Sequence, residues 1–208
     1  MRFFVLEGGD AAGKSKQAKK LKAWLEAQTT KPVIHCREPG GTPVAEELRE
    51  IHRYGQSKHN ERITEDTRVL LMNAARRQHV EHVIAPMLAR GYDVVCERFN
   101  WSTYVYVTGE SRKLAETLHT ALFQHIVPDC IIYLDIDPDT AVARIKKRDE
   151  LDDLEVSLTP RFQEMRHTFQ QLVKHPLAPA PRHCFMVDGT QDEDTVFADI
   201  IAGLSGLV

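Results

Sequence analysis

The chain has 208 residues, of which 42% are hydrophobic, and a formal net charge of -3. A chain of this length can bury about 70% of the surface that its unfolded form exposes, so a single domain over residues 1–208 is predicted. Because Lys and Arg are interspersed with Asp and Glu, the charge does not indicate a nucleic-acid partner.

The apolar segments and the cysteines indicate the expected compartment. The sequence has no apolar run near the roughly 18 residues of a membrane span and no leader-type pattern at its start. The 4 cysteines, at positions 36, 96, 130 and 184, form no C-x-x-C pair, so their spacing signals neither a zinc site nor a disulfide framework. We expect a cytoplasmic protein that does not contact a membrane and whose cysteines are buried thiols.

Short β-prone runs alternate with longer segments of helical periodicity. Strands are predicted at residues 2–7, 31–36, 92–96, 131–136 and 183–187. Helices are predicted at residues 14–27, 44–52, 64–90, 113–126, 160–173 and 193–204. Pro86 marks a kink or boundary inside the third of these helices. A further helix is predicted to begin at residue 140 and to run into a basic segment that ends at residue 148.

A phosphate cradle is predicted between the first strand and the first helix. The residues Gly8, Gly9, Asp10, Ala11, Ala12, Gly13, Lys14 and Ser15 have the Walker A spacing G-x-x-x-x-G-K-S/T, and Lys16 follows them. The glycines let backbone N–H groups turn towards one anion at the positive end of a helix. Lys14 would reach the β and γ phosphates, and the Ser15 hydroxyl would bind Mg²⁺. We therefore expect all of these residues to bind ATP.

The alternation of strands and helices gives the predicted fold class. It is an α/β three-layer sandwich of the P-loop NTPase type, in which about five parallel strands are covered by helices on both faces. Ligands on such sheets bind at the carboxyl ends of the strands, where the cradle lies. A nucleotide switch or motor would use the same cradle, but the sequence has no N-K-x-D tetrad, and Leu134-Asp135 is a weak Walker B candidate.

Three further motifs resemble those of the thymidylate kinase family. They are R-E-P-G-G-T-P at residues 37–43, A-A-R-R-Q-H at residues 74–79 and E-R-F at residues 97–99. Their order and spacing are similar to the family's over nearly the whole chain. The resemblance implies transfer of the γ-phosphoryl group of ATP to dTMP, with Mg²⁺ as cofactor, nucleotides as the small-molecule partners and a homodimer as the assembly.

The resemblance also implies roles for single residues towards the acceptor nucleotide. Arg98 and Arg49 would hold its phosphate, Asp10 its sugar 3′-hydroxyl, and Arg76 the pyrimidine carbonyl, while Tyr106 would pack below the sugar. The full predicted substrate-binding set is Asp10, Glu38, Pro39, Arg49, Met72, Arg76, Arg98, Ser102, Thr103 and Tyr106. Glu97, at the family's usual aspartate, joins Ser15 as a predicted metal ligand.

A lid is implied at about residues 144–156, as in the bacterial subtype of the family. Because Ala11 and Ala12 leave the cradle without an arginine, Arg144 or Arg148 would meet the transition-state charge when the lid closes. The predicted catalytic residues are Lys14, Arg98, Arg148 and Arg144. Arg144, Thr190 and Gln191 are also predicted to contact ATP, the last two beside adenine.

Three residues depart from the family's pattern where the base would bind. Met72 replaces the stacking aromatic ring, Val107 replaces a glutamine, and Thr103 replaces a serine or asparagine. Methionine packs on a base but lacks a flat face. An alternative function therefore stays open, a kinase for another or modified deoxypyrimidine monophosphate, such as a 5-substituted dUMP.

Overall fold

The computed structural model describes residues 1–147 and 158–207, in which strands and helices alternate. The strands are β1 (Phe3–Gly8), β2 (Val33–Arg37), β3 (Asp93–Glu97), β4 (Cys130–Asp135) and β5 (His183–Asp188). The helices are α1 (Lys14–Gln28), α2 (Pro43–His59), α3 (Glu65–His79), α4 (Ala85–Ala89), α5 (Asn100–Val105), α6 (Gly109–Phe123), α7 (Pro138–Lys146), α8 (Phe162–Lys174) and α9 (Glu193–Gly203). A π-helical turn at Val80–Ile84 joins α3 to α4, and a 3₁₀ turn at Thr159–Arg161 precedes α8.

The five strands form one parallel sheet in the order β2-β3-β1-β4-β5. The central strand β1 pairs with β3 from Phe3↔Val94 to Leu6↔Glu97 and with β4 from Phe4↔Cys130 to Gly8↔Leu134. Every residue of β1, β3 and β4 is buried, as expected for strands that are covered on both faces. The predicted fold class is confirmed.

The strand order places a crevice between β1 and β3. The connection from β1 to β2 and that from β3 to β4 run in opposite directions across the sheet. Since parallel crossovers are right-handed, α1 lies on one face and α5 and α6 lie on the other. The two chain segments that leave β1 and β3 therefore diverge, and the space between them is where such sheets bind ligands.

The observed helices differ from the predicted ones, and three of the differences have a clear physical reason. Helix α2 continues to His59, seven residues beyond the predicted end, and stops at Asn60 in the left-handed conformation (φ 52°). The short helix α5 was not predicted, because six residues show little periodicity. The predicted kink near Pro86 is the π-helical turn at Val80–Ile84, since proline has no N–H to continue the α-helical ladder.

In the part of the chain that the structure describes, none of the helices has the length and apolarity to span a membrane.

Candidate active site

The loop between β1 and α1 has the shape of a phosphate cradle. Gly8 is required because a Cβ there would lie 2.7 Å from the carbonyl oxygen of Leu134, and Gly13 adopts a left-handed conformation (φ 91°) before α1 begins at Lys14. Lys14 Nζ donates to the carbonyl oxygens of Gly8 and Gly9 at 3.0 and 2.6 Å. The lysine thus folds back over the loop, beside the positive end of α1.

Burial lowers the pKa of the Lys14 ammonium group. The side chain is 7% exposed, and burial, followed by the positive charge of Arg98, lowers the pKa of Lys14 to about 7. A polyphosphate placed against the cradle would supply negative charge and favour the protonated form. The site is electrostatically complementary to a polyanion.

Ser15 and Glu97 form a pair of oxygen ligands across the crevice. Ser15 Oγ donates to Glu97 Oε2 at 2.5 Å, and His35 Nε2 lies 2.7 Å from Glu97 Oε1. Burial raises the pKa of Glu97, but the hydrogen bonds from His35 and Ser15 outweigh it and hold that pKa below its ordinary value. A hydroxyl and an ionised carboxylate are hard oxygen donors of the kind that Mg²⁺ prefers, so the residues fit this ion.

Asp135, the weak Walker B candidate, has a different partner. Arg166 Nε and NH2 donate to its two carboxylate oxygens at 2.9 and 2.8 Å, and the Tyr133 hydroxyl donates to it at 2.7 Å. This arrangement joins β4 to α8. Asp135 is therefore bound within the protein, and Glu97 is the carboxylate that contacts the cradle serine.

Arg98 is the centre of the hydrogen-bond network between β1 and β3. Its NH1 donates to Gly8 O and to Ser102 Oγ, each at 3.0 Å, and its NH2 donates to Asp10 Oδ1 at 2.5 Å. The Tyr106 hydroxyl donates to Asp10 Oδ2 at 2.9 Å, and the Arg98 guanidinium lies 5.1 Å from the Tyr106 ring centre. The structure thus brings together four of the predicted substrate-binding residues.

The backbone of Arg98 is held in a conformation that side-chain-bearing residues rarely adopt. Its φ is 65°, and its N–H donates to Leu6 O at 2.8 Å. A buried carboxylate that the sequence did not single out supports the turn that follows. Glu7 accepts hydrogen bonds from Phe99 N at 2.8 Å, Ser102 N at 3.1 Å and Ser102 Oγ at 2.6 Å. Strained backbone of this kind is typical of functional sites.

A cavity of about 640 Å³ opens at the carboxyl ends of β1, β2 and β3. This volume is ordinary for a small-molecule site. One part of its wall is basic and holds the cradle, and another part is mainly apolar. The basic residues are Lys14, Lys16, Arg37, Arg49, Arg53, Arg68, Arg98 and Arg144. The apolar residues away from the cradle include Val69, Met72 and Val107.

The basic side of the cavity is crowded with like charges. Arg49 is half-buried, and burial followed by the charges of Arg37 and Arg53 lowers its pKa. Like charges placed together favour an anion between them. Arg49, predicted to hold the acceptor phosphate, therefore lies where an anion would be stabilised, and Arg53 and Arg68 extend this surface although the motifs did not identify them.

His52 is a further residue of the cavity wall that the motifs did not reveal. It is 7% exposed, and burial, with the nearby Arg68 charge, lowers its pKa to about 3, so the ring is neutral. Its Nδ1 has no hydrogen-bond partner among the residues that the structure describes. The wall thus includes one neutral polar ring, which only the tertiary contact of α2 with the pocket could show.

An ion pair joins Glu38 in the cavity wall to Arg76 behind it. Arg76 Nε donates to Glu38 Oε2 at 2.6 Å, and its NH2 donates to Phe99 O and Thr103 Oγ1, each at 2.9 Å. Arg76 is 1% exposed, whereas Glu38, Pro39 and Thr103 line the cavity. The structure thus places Arg76 one layer behind the space where it was predicted to meet a pyrimidine, and its predicted contact stays a prediction.

The predicted lid and adenine contacts are described only in part. Arg144 NH1 donates to Ala11 O at 3.3 Å and to Gly189 O at 2.9 Å, and its NH2 donates to Thr190 O at 3.4 Å. Arg144 thus links α7 to the cradle and to the loop after β5. The Thr190 and Gln191 side chains contact Asp188 and, for Gln191, Asp199. Arg148 and most of the predicted lid lie outside the described residues.

Comparisons with known proteins agree on one family. The protein-family model described as "Thymidylate kinase" matches residues 6–200. A thymidylate kinase of Francisella philomiragia subsp. philomiragia is 37% identical over 205 residues, which are 97% of this chain and 96% of the relative. One of Jannaschia sp. is 38% identical over 198 residues, 93% and 91% of the two chains. The crystal structure of thymidylate kinase from Ehrlichia chaffeensis, 23% identical, has the same fold with a TM-score of 0.71 over 98% of each chain.

Proposed function

The chain belongs to the thymidylate kinase family, and from that premise we propose that it transfers the γ-phosphoryl group of ATP to dTMP, giving ADP and dTDP. One observation carries this proposal. The phosphate cradle and the cluster of Arg98, Asp10 and Tyr106 face the same cavity of about 640 Å³. Two nucleotides could therefore meet there with their phosphates adjacent.

The described residues divide into a donor side and an acceptor side. On the donor side, the cradle from Gly8 to Gly13, Lys14 and Lys16 would bind the ATP phosphates. On the acceptor side, Arg98 and Arg49 would bind the phosphate of dTMP, because a guanidinium stays charged and holds two phosphate oxygens at once. A phosphate monoester oxygen is anionic at neutral pH, so no general base is needed. Catalysis is then mainly positioning and charge neutralisation.

Ser15 and Glu97 would hold Mg²⁺ on the donor side. The ion, when bound, neutralises the charge that develops on the β and γ phosphate oxygens. His35 would keep Glu97 ionised and oriented, since it occupies the carboxylate oxygen that does not face Ser15. The longer glutamate side chain thus still reaches the cradle serine, in place of the family's usual aspartate.

The acceptor nucleoside would lie along the mainly apolar wall. Asp10 would accept a hydrogen bond from the sugar 3′-hydroxyl, Tyr106 would pack below the sugar, and Met72 would lie against the base. Glu38, Pro39, Ser102 and Thr103 would complete this side, with Arg76 held behind it by Glu38. A polar base edge would then meet Thr103 Oγ1, or Arg76 after a small movement of its side chain.

The remaining proposals rest on the family. Arg144 already reaches the cradle and would contact the transferring phosphate, and Arg148 would join it from the lid. Thr190 and Gln191 would pack beside adenine.

The proposed biological form is a homodimer in the cytoplasm. Each chain would be a single-domain enzyme that acts on small-molecule nucleotides. Leu70 of α3, which is 53% exposed, is a candidate for the dimer surface.

The proposal is tested by ADP release with ATP and Mg²⁺ against dTMP, dUMP, dCMP, dGMP, dAMP and 5-hydroxymethyl-dUMP. We expect dTMP to give the highest kcat/KM. A higher value with another pyrimidine deoxynucleotide would favour the alternative acceptor and direct attention to Met72, Thr103 and Val107. If none of the six stimulates ADP release, the kinase assignment of this chain is wrong.

A pair of lysine variants on α1 controls this assay. Lys14→Met removes the cradle charge and is expected to lower kcat/KM by about 100-fold or more. Lys19→Met removes an exposed lysine from the same helix and is expected to leave it unchanged. Equal activity of the two variants would show that the cradle does not act in the reaction.

A further inference from the structure

Two cysteines that are far apart in sequence are neighbours in the sheet. Cys36 of β2 pairs with Cys96 of β3 in the parallel register. Partners in adjacent parallel strands point to the same face of a sheet and are separated by about 4.8 Å across it. The two sulfur atoms therefore share one face, one residue below the strand ends that carry Arg37 and Glu97.

A histidine completes a compact group with these cysteines. His79 ends α3. One of its ring nitrogens forms a cluster with Cys36 Sγ and Cys96 Sγ, and these three atoms all lie within 4.8 Å of one another. Cys96 and His79 are 0% exposed, whereas Cys36 is partly exposed. His79 Nδ1 is 3.4 Å from Glu38 Oε1, and Nε2 has no hydrogen-bond partner among the described residues.

We propose that Cys36, His79 and Cys96 form a binding site for a thiophilic divalent cation of the Zn²⁺ type. Two thiolates and an imidazole are a ligand set that such ions prefer. Their two negative charges neutralise the ion, so the occupied site buries no net charge. The buried His79 imidazole lies beside both thiols, where one of its ring nitrogens would bind the ion.

The distances suit such an ion. With Zn–S of about 2.3 Å and Zn–N of about 2.0 Å, tetrahedral geometry separates the ligand atoms by about 3.5 to 3.8 Å. The cluster therefore closes around an ion by shifts of about 1 Å or less. Glu38 would then act on the metal-bound imidazole as carboxylates commonly do, by accepting a hydrogen bond from the other ring nitrogen.

The site would join three elements that support the cavity. Cys36 lies two residues before Glu38, Cys96 lies two residues before Arg98, and His79 is three residues after Arg76. A bound ion would fix the ends of β2 and β3 against α3. The inference goes beyond the proposed kinase activity and assigns the ion no chemistry in phosphoryl transfer, so it is tested by binding and stability.

The test uses full-length protein purified without metal, kept reduced by a phosphine. Co²⁺ serves as the optical probe, because thiolate ligands give it a charge-transfer band, and Zn²⁺ is then titrated to displace it. We expect one Co²⁺ per chain with a thiolate band, displacement by Zn²⁺ and a higher melting temperature with Zn²⁺. Cys36→Ser and Cys96→Ser are each expected to lower the affinity at least tenfold and to weaken the band, because each removes one of the two thiolates.

Cys184→Ser is the matched control, since Cys184 is also a partly buried thiol but lies on β5 at the opposite edge of the sheet. It should leave the band and the affinity unchanged. The proposal would be overturned if wild-type protein gave no thiolate band although its 4 cysteines titrate as free thiols after denaturation. A Cys36–Cys96 disulfide that persists under reduction would also overturn it, as would binding that Cys36→Ser and Cys96→Ser leave intact.

The metal test and the kinase test can fail separately. Lys14→Met is expected to bind the ion as wild type does, because Lys14 is not part of the Cys36, His79 and Cys96 cluster. Active protein without a thiolate band would reject the metal site alone. Inactive protein that binds one ion through the two cysteines would reject the kinase assignment alone.

Discussion

At the scale of single residues, the site depends on side chains that make several contacts at once. Arg98 contacts Gly8 O, Ser102 Oγ and Asp10 through one planar group. A guanidinium has this fork geometry, and an ammonium does not. Charge alone therefore does not explain why arginine stands at this position.

Arg98→Lys should separate geometry from charge. The variant keeps the positive charge but cannot hold Asp10, Ser102 and an acceptor phosphate together, so we expect kcat/KM for dTMP to fall about 100-fold. Steady-state ADP release measures this. Arg77→Lys, at an exposed arginine one residue after Arg76, should behave like wild type. A wild-type rate for Arg98→Lys would remove Arg98 from the phosphate site.

The lowered pKa of the buried His119 makes the free energy of unfolding depend on pH. Its ring stacks on Phe123 with centres 5.8 Å apart, and burial, followed by the charge of Arg76, lowers its pKa from the ordinary 6.5 to about 4. Between these two values the unfolded chain binds a proton that the folded chain does not. The free energy of unfolding therefore decreases as the pH falls from 6.5 to 4.

His119→Gln should remove this part of the pH dependence. We expect wild type to lose up to about 3 kcal/mol more than the variant between pH 6.5 and 4. Urea unfolding at four pH values in this range gives the two slopes. Parallel slopes for the two proteins would contradict the lowered pKa of His119.

At the scale of elements, a buried carboxylate on one strand organises the start of a helix that follows another. Glu7 of β1 accepts hydrogen bonds from the N–H groups of Phe99 and Ser102, at the beginning of α5. These are the N–H groups that a helix leaves without internal partners. Two elements about 90 residues apart in sequence are thereby fixed beside Arg98.

Glu7→Ala should therefore weaken both the fold and the site. Loss of the Glu7 carboxylate leaves two buried N–H groups without a hydrogen-bond partner. We expect the free energy of unfolding to fall by about 2 to 4 kcal/mol. Urea denaturation followed by circular dichroism measures the change. Glu47→Ala, at an exposed glutamate of α2, should change it by less than about 0.5 kcal/mol. Equal stabilities of the two variants would show that Glu7 does not hold α5.

At the scale of the whole molecule, the two proposed nucleotide sites lie on either side of one crevice. The cradle follows β1, Arg98 follows β3, and α2 and α3 close the far wall of the cavity. A ligand in this cavity would touch several elements at the same time. Binding should then stabilise the native state as a unit.

Acceptor binding should raise the melting temperature. At about 100 times its dissociation constant, dTMP contributes about 2.7 kcal/mol, which for a chain of this size is about 5 to 10 °C. Differential scanning fluorimetry checks this, with thymidine as the control that lacks the phosphate. Arg98→Lys should reduce the shift with dTMP. An equal shift with thymidine would mean that the arginines contribute little to acceptor binding.

Much of the architecture and part of the site followed from the sequence. All five strands were predicted within two residues of their observed ends, because buried apolar runs bounded by glycine and proline are strong local signals. The cradle was found from its spacing alone. Helix α5 was missed because six residues show little periodicity, and the extra turns of α2 were missed because packing against α3 completes them.

What the sequence determined by itself is chemistry carried by neighbours in the chain: the cradle, the motifs after β2 and β3, and the alternation that gives a parallel sheet. The tertiary structure alone decided which distant side chains meet. It placed Glu7 at the start of α5 and His52 in the cavity wall. It also placed Cys36 beside Cys96, a contact that the spacing of the cysteines had not suggested. The physical reason is that strand register and crossover direction, which set these contacts, depend on packing between elements rather than on local spacing.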